Sequence, residues 1–294
     1  MTPFRASRTR QKSKTLTDTT FDLESTVEGA RRQLEPRKPR LLIYDLEVSP
    51  NLTWTYNSYD AIVVKTEMYQ KLMSFSYCWY EEGKKPKIIH RQLPDTDTYN
   101  VDHQSDKLLV KELWELINQA DVYIAHNNNG FDAKMSNTLF LRNGLLPPNI
   151  PKSIDTLRIA RSKFKFTGNS LDALCHQLGV EGKSQTKHGD VWYDCFVNKD
   201  LKSWKAMRVY NDQDVKALID IYLLFRPYIS NHPNLSNISN IAESCPVCGS
   251  DEGFKSDGIR TTQSMKYRRL NCRHCGAPVH QNLGLPYEKP IYKS

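Results

Sequence analysis

The chain has 294 residues, 39% of them hydrophobic and 25% charged, and carries a formal net charge of +8. That length allows one sizeable domain and a small one, and the positive balance favours a polyanionic partner. No apolar run reaches the ~18 residues of a membrane span and no apolar leader core is present, so no membrane partner is expected and a reducing, cytoplasmic setting is.

Residues 1–39 read as a disordered basic tail, with Arg5, Arg8, Arg10, Lys12 and Lys14 set among serines and threonines. A solvated tail is the first reading, and a tail that tracks a nucleic-acid backbone the second. Residues 41–48, Leu-Leu-Ile-Tyr-Asp-Leu-Glu-Val, then form an apolar strand. Side chains alternate along a strand, so Asp45 and Glu47 point the same way, about 6–7 Å apart. Two buried carboxylates on one face repel each other, and a shared proton or a hard divalent cation such as Mg²⁺ or Mn²⁺ relieves them. An edge strand whose acids face water is the alternative, opposed by the aliphatic neighbours.

Residues 52–68 are aromatic without a clear period. Residues 72–80 and 87–93 read as a hairpin across a Glu-Glu-Gly-Lys-Lys-Pro turn. Residues 107–120 carry leucines at helical spacing, and residues 121–125 form a short buried strand. Next comes His126-Asn-Asn-Asn-Gly-Phe-Asp132, between that strand and a helix. Loops after sheet strands are where α/β proteins place sites. Asp132 there serves either a site or merely the helix N-terminus, and Asn128, Asn129 and Phe131 are candidate nucleic-acid contacts. Helices follow from residue 154 and from residue 169, the latter capped by Ser170, with Arg158, Arg161, Lys163 and Lys165 between as a solvated or phosphate-facing set. Residues 201–224 form the longest helical pattern, in which Tyr210 and Asp214 stand four apart and share a face, with Asp212 on another.

Residues 229–243 read as a linker. Residues 244–285 hold Cys245-x-x-Cys248 and Cys272-x-x-Cys275. Four thiolates in two such pairs suit one tetrahedral structural Zn²⁺, and a module this small needs that staple. Lys266, Tyr267 and Arg268 lie between the pairs, a basic cluster with an aromatic that suits single-stranded nucleic acid.

Taken in order, Asp45-x-Glu47, Asp132 and Tyr210-x-x-x-Asp214 resemble the three motifs of the DEDD superfamily of 3′–5′ exonucleases, in its tyrosine-containing branch. The resemblance covers roughly residues 40–226 and is similar in character to exonucleases of bacteriophage replication modules, which would place the protein in a host cytoplasm. It implies an α/β, ribonuclease-H-like mixed sheet flanked by helices over residues 40–228, joined to the zinc ribbon. It implies two Mg²⁺ or Mn²⁺ ions held by Asp45, Glu47, Asp132 and Asp214, with Asp45 bridging and Glu47 and Tyr210 orienting the attacking water. The expected activity is 3′–5′ hydrolysis of single-stranded DNA, associated with proofreading or replication and with a DNA polymerase as partner. An RNA exonuclease and an inactive nucleic-acid-binding scaffold are the alternatives; the complete acid set argues against the scaffold.

Overall fold

The strand Leu41–Val48 (β1) has almost no polar face, because both of its sides are covered. Leu42, Tyr44 and Leu46 join one apolar cluster, and Leu41 and Ile43 join the other. This double burial follows from β1's place at the centre of a five-stranded sheet in the order β5-β4-β1-β6-β7. Its neighbours are β4 (Leu72–Tyr80), antiparallel to it, and β6 (Val122–Ala125), parallel to it. Outside these lie β5 (Ile89–Gln92), antiparallel to β4, and β7 (Lys152–Asp155), parallel to β6. The structure is a computed structural model, and it describes residues 35–57, 59, 62–149, 151–182, 188–262 and 265–283.

Helices cover both faces of this sheet. On one side lie α1 (Lys107–Asn118) and α2 (Asp132–Arg142), and α1 buries Leu109, Val110, Leu113, Leu116 and Ile117 along a single stripe. On the other lie α3 (Thr156–Lys163), α4 (Leu171–Leu178) and the C-terminal half of α6 (Leu201–Phe225), with Leu218, Ile221, Tyr222 and Phe225 in the same cluster as Ile43. Ser170 caps α4 by accepting from the Ala173 amide, and Gly179 ends it with φ of 66°. Between α4 and α6 runs α5 (His188–Tyr193). The strand order and directions are those of a ribonuclease-H-like mixed sheet flanked by helices, as the resemblance implied. Among the described residues no helix is long and apolar enough to cross a membrane.

The tail expected over residues 1–39 falls outside the described residues up to position 34. Near its end Arg37 makes a paired contact with Asp121, and Lys38 is bonded to Glu81. One further expectation is corrected. Ile154 and Asp155, read as the start of a helix, end the edge strand β7, and the helix begins only after Asp155 caps it.

Residues 52–68 form a separate two-stranded sheet, β2 (Leu52–Thr55) with β3 (Val63–Met68). The segment read as a linker carries a short helix, α7 (Leu235–Ser239), in which Leu235 is buried in the same apolar cluster as Ile43 and its amide donates to the Pro246 carbonyl. Beyond it, β8 (Phe254–Thr261), β9 (Lys266–Cys272) and β10 (Pro278–Asn282) form an antiparallel three-stranded sheet. Buried Arg226 holds Glu82 with its two terminal guanidinium nitrogens, and Glu82 also bonds His274, which in turn meets Glu252. Desolvation works to raise Glu82, but hydrogen bonds from Arg226 and His274 prevail and keep its pKa below the ordinary glutamate value. The C-terminal module is thus seated on the sheet domain through this ionic chain.

Candidate metal centres

β1 delivers Asp45 and Glu47 to the sheet face that α6 crosses, as strict alternation from Ile43 requires. Asp214 arrives from α6, and one carboxylate oxygen from each of the three acids lies within 4.8 Å of the others. Asp214 is buried, while Asp45 and Glu47 are partly buried. Three acids at this spacing repel one another strongly in a partly desolvated site, and their hard oxygen donors fit Mg²⁺ or Mn²⁺. Tyr210 lies one turn before Asp214, buried, with its ring edge-on to Trp192 at 5.7 Å between centroids.

Asp132 begins α2 and is buried. Desolvation raises its pKa to about 7, against hydrogen bonds from its own amide and from that of Leu46. The Leu46 contact ties Asp132 to the strand between Asp45 and Glu47, although it stands outside the group of three. Three of the four acids expected to hold metal are therefore brought together, and the fourth is held against the same strand. Asp212, expected to be solvated, is partly covered and accepts from Ser76 Oγ at 2.7 Å.

The loop before α2 is built by Asp155. Its carboxylate accepts from the amides of Asn127, Asn129 and Arg158. A Cβ at Gly130 would sit 2.3 Å from Asn127 Oδ1, so any larger residue here would displace the exposed Asn127 side chain. Asn128, read as a nucleic-acid contact, is fully buried, accepts from the Tyr44 hydroxyl at 2.9 Å and donates to Ser153. Its side chain shapes the loop and does not face a ligand. Asn129 and Phe131 remain exposed. His126 is a packed histidine, bonded to Thr156 and to the Asn169 carbonyl.

The residue that motif reading passed over is Asn211. It is fully buried, and its Nδ2 donates to Asp45 Oδ2 at 2.7 Å and to the Asp45 carbonyl at 3.3 Å. Its spacing of three from Asp214 puts it near the same helix face, which is the signal that was available. Outer partners that orient a ligand typically carry about 10–100-fold in metal affinity or activity. Asn211→Leu, close to isosteric but without the donor, is accordingly expected to lower turnover by that factor and to shift its dependence on Mn²⁺ concentration upward. A Mn²⁺ titration of the rate checks this, and an unchanged curve would remove Asn211 from the site.

In the C-terminal module, Cys245, Cys248, Cys272 and Cys275 form a second group within 4.8 Å. The Sγ separations Cys245–Cys275 and Cys248–Cys272 are both 3.8 Å. A tetrahedron of Zn–S bonds near 2.3 Å has edges of roughly 3.8 Å, so these thiols fit zinc without rearrangement. Lys266 and Arg268 lie exposed on β9, with Tyr267 between them partly covered.

Residues 94–201 match the family described as Exonuclease. That stretch includes Asp132 but not Asp45, Glu47, Tyr210 or Asp214, which are placed by the geometry above. Over residues 94–201 the chain is similar to that family. Among solved structures it is similar to the family B DNA polymerase from the hyperthermophilic archaeon Pyrobaculum calidifontis, at 15% identity and a TM-score of 0.41, over 70% of this chain and 28% of that one. The chain thus spans little more than a quarter of that polymerase. A search of curated proteins gives no match.

Proposed function

We propose that the chain is a 3′–5′ exonuclease that hydrolyses single-stranded DNA with two Mg²⁺ or Mn²⁺ ions and serves DNA replication or proofreading beside a separate polymerase. The observation that carries this reading is the convergence of Asp45, Glu47 and Asp214 on one spot, in a chain whose residues 94–201 are similar to the exonuclease family. Asp132, tied to the same strand, completes the donor set. The metal pair, when bound, supplies a nucleophile at neutral pH and stabilises the leaving oxygen. The chain's own groups do the rest. Glu47 and Tyr210 orient the attacking water, Asn211 fixes the Asp45 carboxylate, and the exposed Asn129 and Phe131 hold the terminal nucleotide. The zinc ribbon, over residues 244–285, adds affinity for the strand through Lys266, Tyr267 and Arg268.

Hydrolysis of matched DNA and RNA oligonucleotides with Mg²⁺, with Mn²⁺ and with neither tests this. Metal-dependent loss of DNA supports the reading, faster loss of RNA moves the substrate to RNA, and no hydrolysis of either sinks it. Tyr210→Phe keeps the ring against Trp192 but removes the hydroxyl. It is expected to slow hydrolysis by roughly a hundredfold while metal binding persists. Full rate, or lost metal binding by calorimetry, would contradict the role given to the phenol.

A further inference from the structure

The β2–β3 hairpin is unlike the rest of the domain. Trp54, Tyr56, Tyr59 and Tyr69 are 61%, 91%, 99% and 60% exposed. Large rings at that exposure are costly to hydrate, and so many on one small element mark a contact surface. The arm is firmly rooted. Ser49 is fully buried, and its amide and hydroxyl bond the backbone of Lys71, while Asn51 accepts from the Gln70 amide. Arg142 donates to the Gln70 carbonyl at 3.0 Å and lies 5.1 Å over the Tyr69 ring. The root is also the end of β1 that carries Glu47, and β6 runs parallel to β1, so the arm rises from the same end of the sheet as the carboxylates and the Phe131 loop.

We propose that this hairpin is a stacking platform for the single strand leading away from the carboxylate cluster; the proposal rests on the nuclease reading above. Every base offers a π-face, so exposed rings bind a strand without reading its sequence. Cationic groups that suit phosphates lie around them: Lys65 is exposed and Arg142 flanks the base of the arm, while Lys71 lies 3.8 Å from Asp106 and Glu67 accepts from the Trp54 indole. From Ser49 to Thr55 an extended arm reaches roughly 20 Å, several nucleotides beyond the point of hydrolysis. The contact therefore serves long strands and not the terminal nucleotide.

Binding of labelled oligothymidylates to the full chain, in an Asp45→Ala background, tests the assignment. Trp54→Ala and Tyr56→Ala are each expected to weaken a strand of about 12 nucleotides by about tenfold and to leave one of about three unchanged, while Trp54→Phe and Tyr56→Phe retain affinity. Tyr56 is nearly fully exposed, so its substitution reads binding without unfolding the arm. Unchanged affinity for the long strand in both alanine variants would overturn the proposal, and a change in self-association with strand affinity intact would make the hairpin a protein-docking surface instead. Repeating the series with a phosphorothioate strand keeps the result independent of the nuclease site: cleavage of the ordinary strand by Asp45→Ala would sink the site assignment and leave the hairpin comparison standing.

Discussion

Asp45→Asn is expected to reduce hydrolysis at least about a thousandfold, or about 4 kcal/mol at the transition state. Asparagine has the same shape, and its amide oxygen still accepts the Asn211 hydrogen bond that Asp45 Oδ2 accepts at 2.7 Å. What is lost is the charge. With Glu47 and Asp214 within 4.8 Å, that loss relieves repulsion in the metal-free protein, so stability is expected to be unchanged or higher. Strand affinity is expected to survive, because it comes from cationic and aromatic surfaces elsewhere. Asp214→Asn and Asp132→Asn are expected to behave alike. The check is a single-turnover rate beside an equilibrium binding curve and a melting curve for each variant. Wild-type turnover in any of them would break the site assignment.

The second large effect concerns the thiols. Among the described residues, the apolar cluster under the C-terminal sheet buries Cys245, Val247, Cys248, Cys272 and Ala277, with Phe254 and Cys275 packed against it, so most of it consists of the proposed zinc thiols and their neighbours. A core of that size does not hold three strands together, whereas a tetrahedral zinc contributes about 10–16 kcal/mol of apparent binding energy to folding. Cys272→Ser is therefore expected to abolish zinc retention and open residues 244–283 to proteolysis. The sheet domain is expected to remain folded: its two apolar clusters draw almost wholly on residues before 230, and the Arg226–Glu82 pair lies within it. Leu235 and the His274 contact are the parts it forfeits. Zinc content and limited proteolysis read both outcomes. A module that stays protected without metal would contradict a zinc fold, and collapse of the whole chain would contradict separate folding.

Much of this was legible because the signals were periodic. β1 alternates between two buried faces, so its two acids had to share a side. Tyr210 and Asp214 are one helical turn apart, and the two Cys-x-x-Cys pairs fix a donor set before any fold is known. The rest hid where periodicity fails. β7 has only four residues, too few for alternation to declare itself, and Asp155 at its end looks like a helix start because it is also a cap. Asn128 and Asn129 are neighbours of one type with opposite fates, one buried under the loop and one exposed, which only the loop's path decides. Leu235 sits in a polar stretch that reads as a linker, yet it fills a place in the core that its own segment does not advertise.

The carboxylates of β1 and α6 are expected to shorten a strand from its 3′ end. A single-stranded DNA carrying a 5′ label, incubated with the full chain and Mn²⁺ and sampled over time, reads this. The expected result is a ladder descending one nucleotide at a time, absent in Asp45→Asn and absent without metal. Immediate release of the labelled mononucleotide, or discrete internal cuts, would contradict the account.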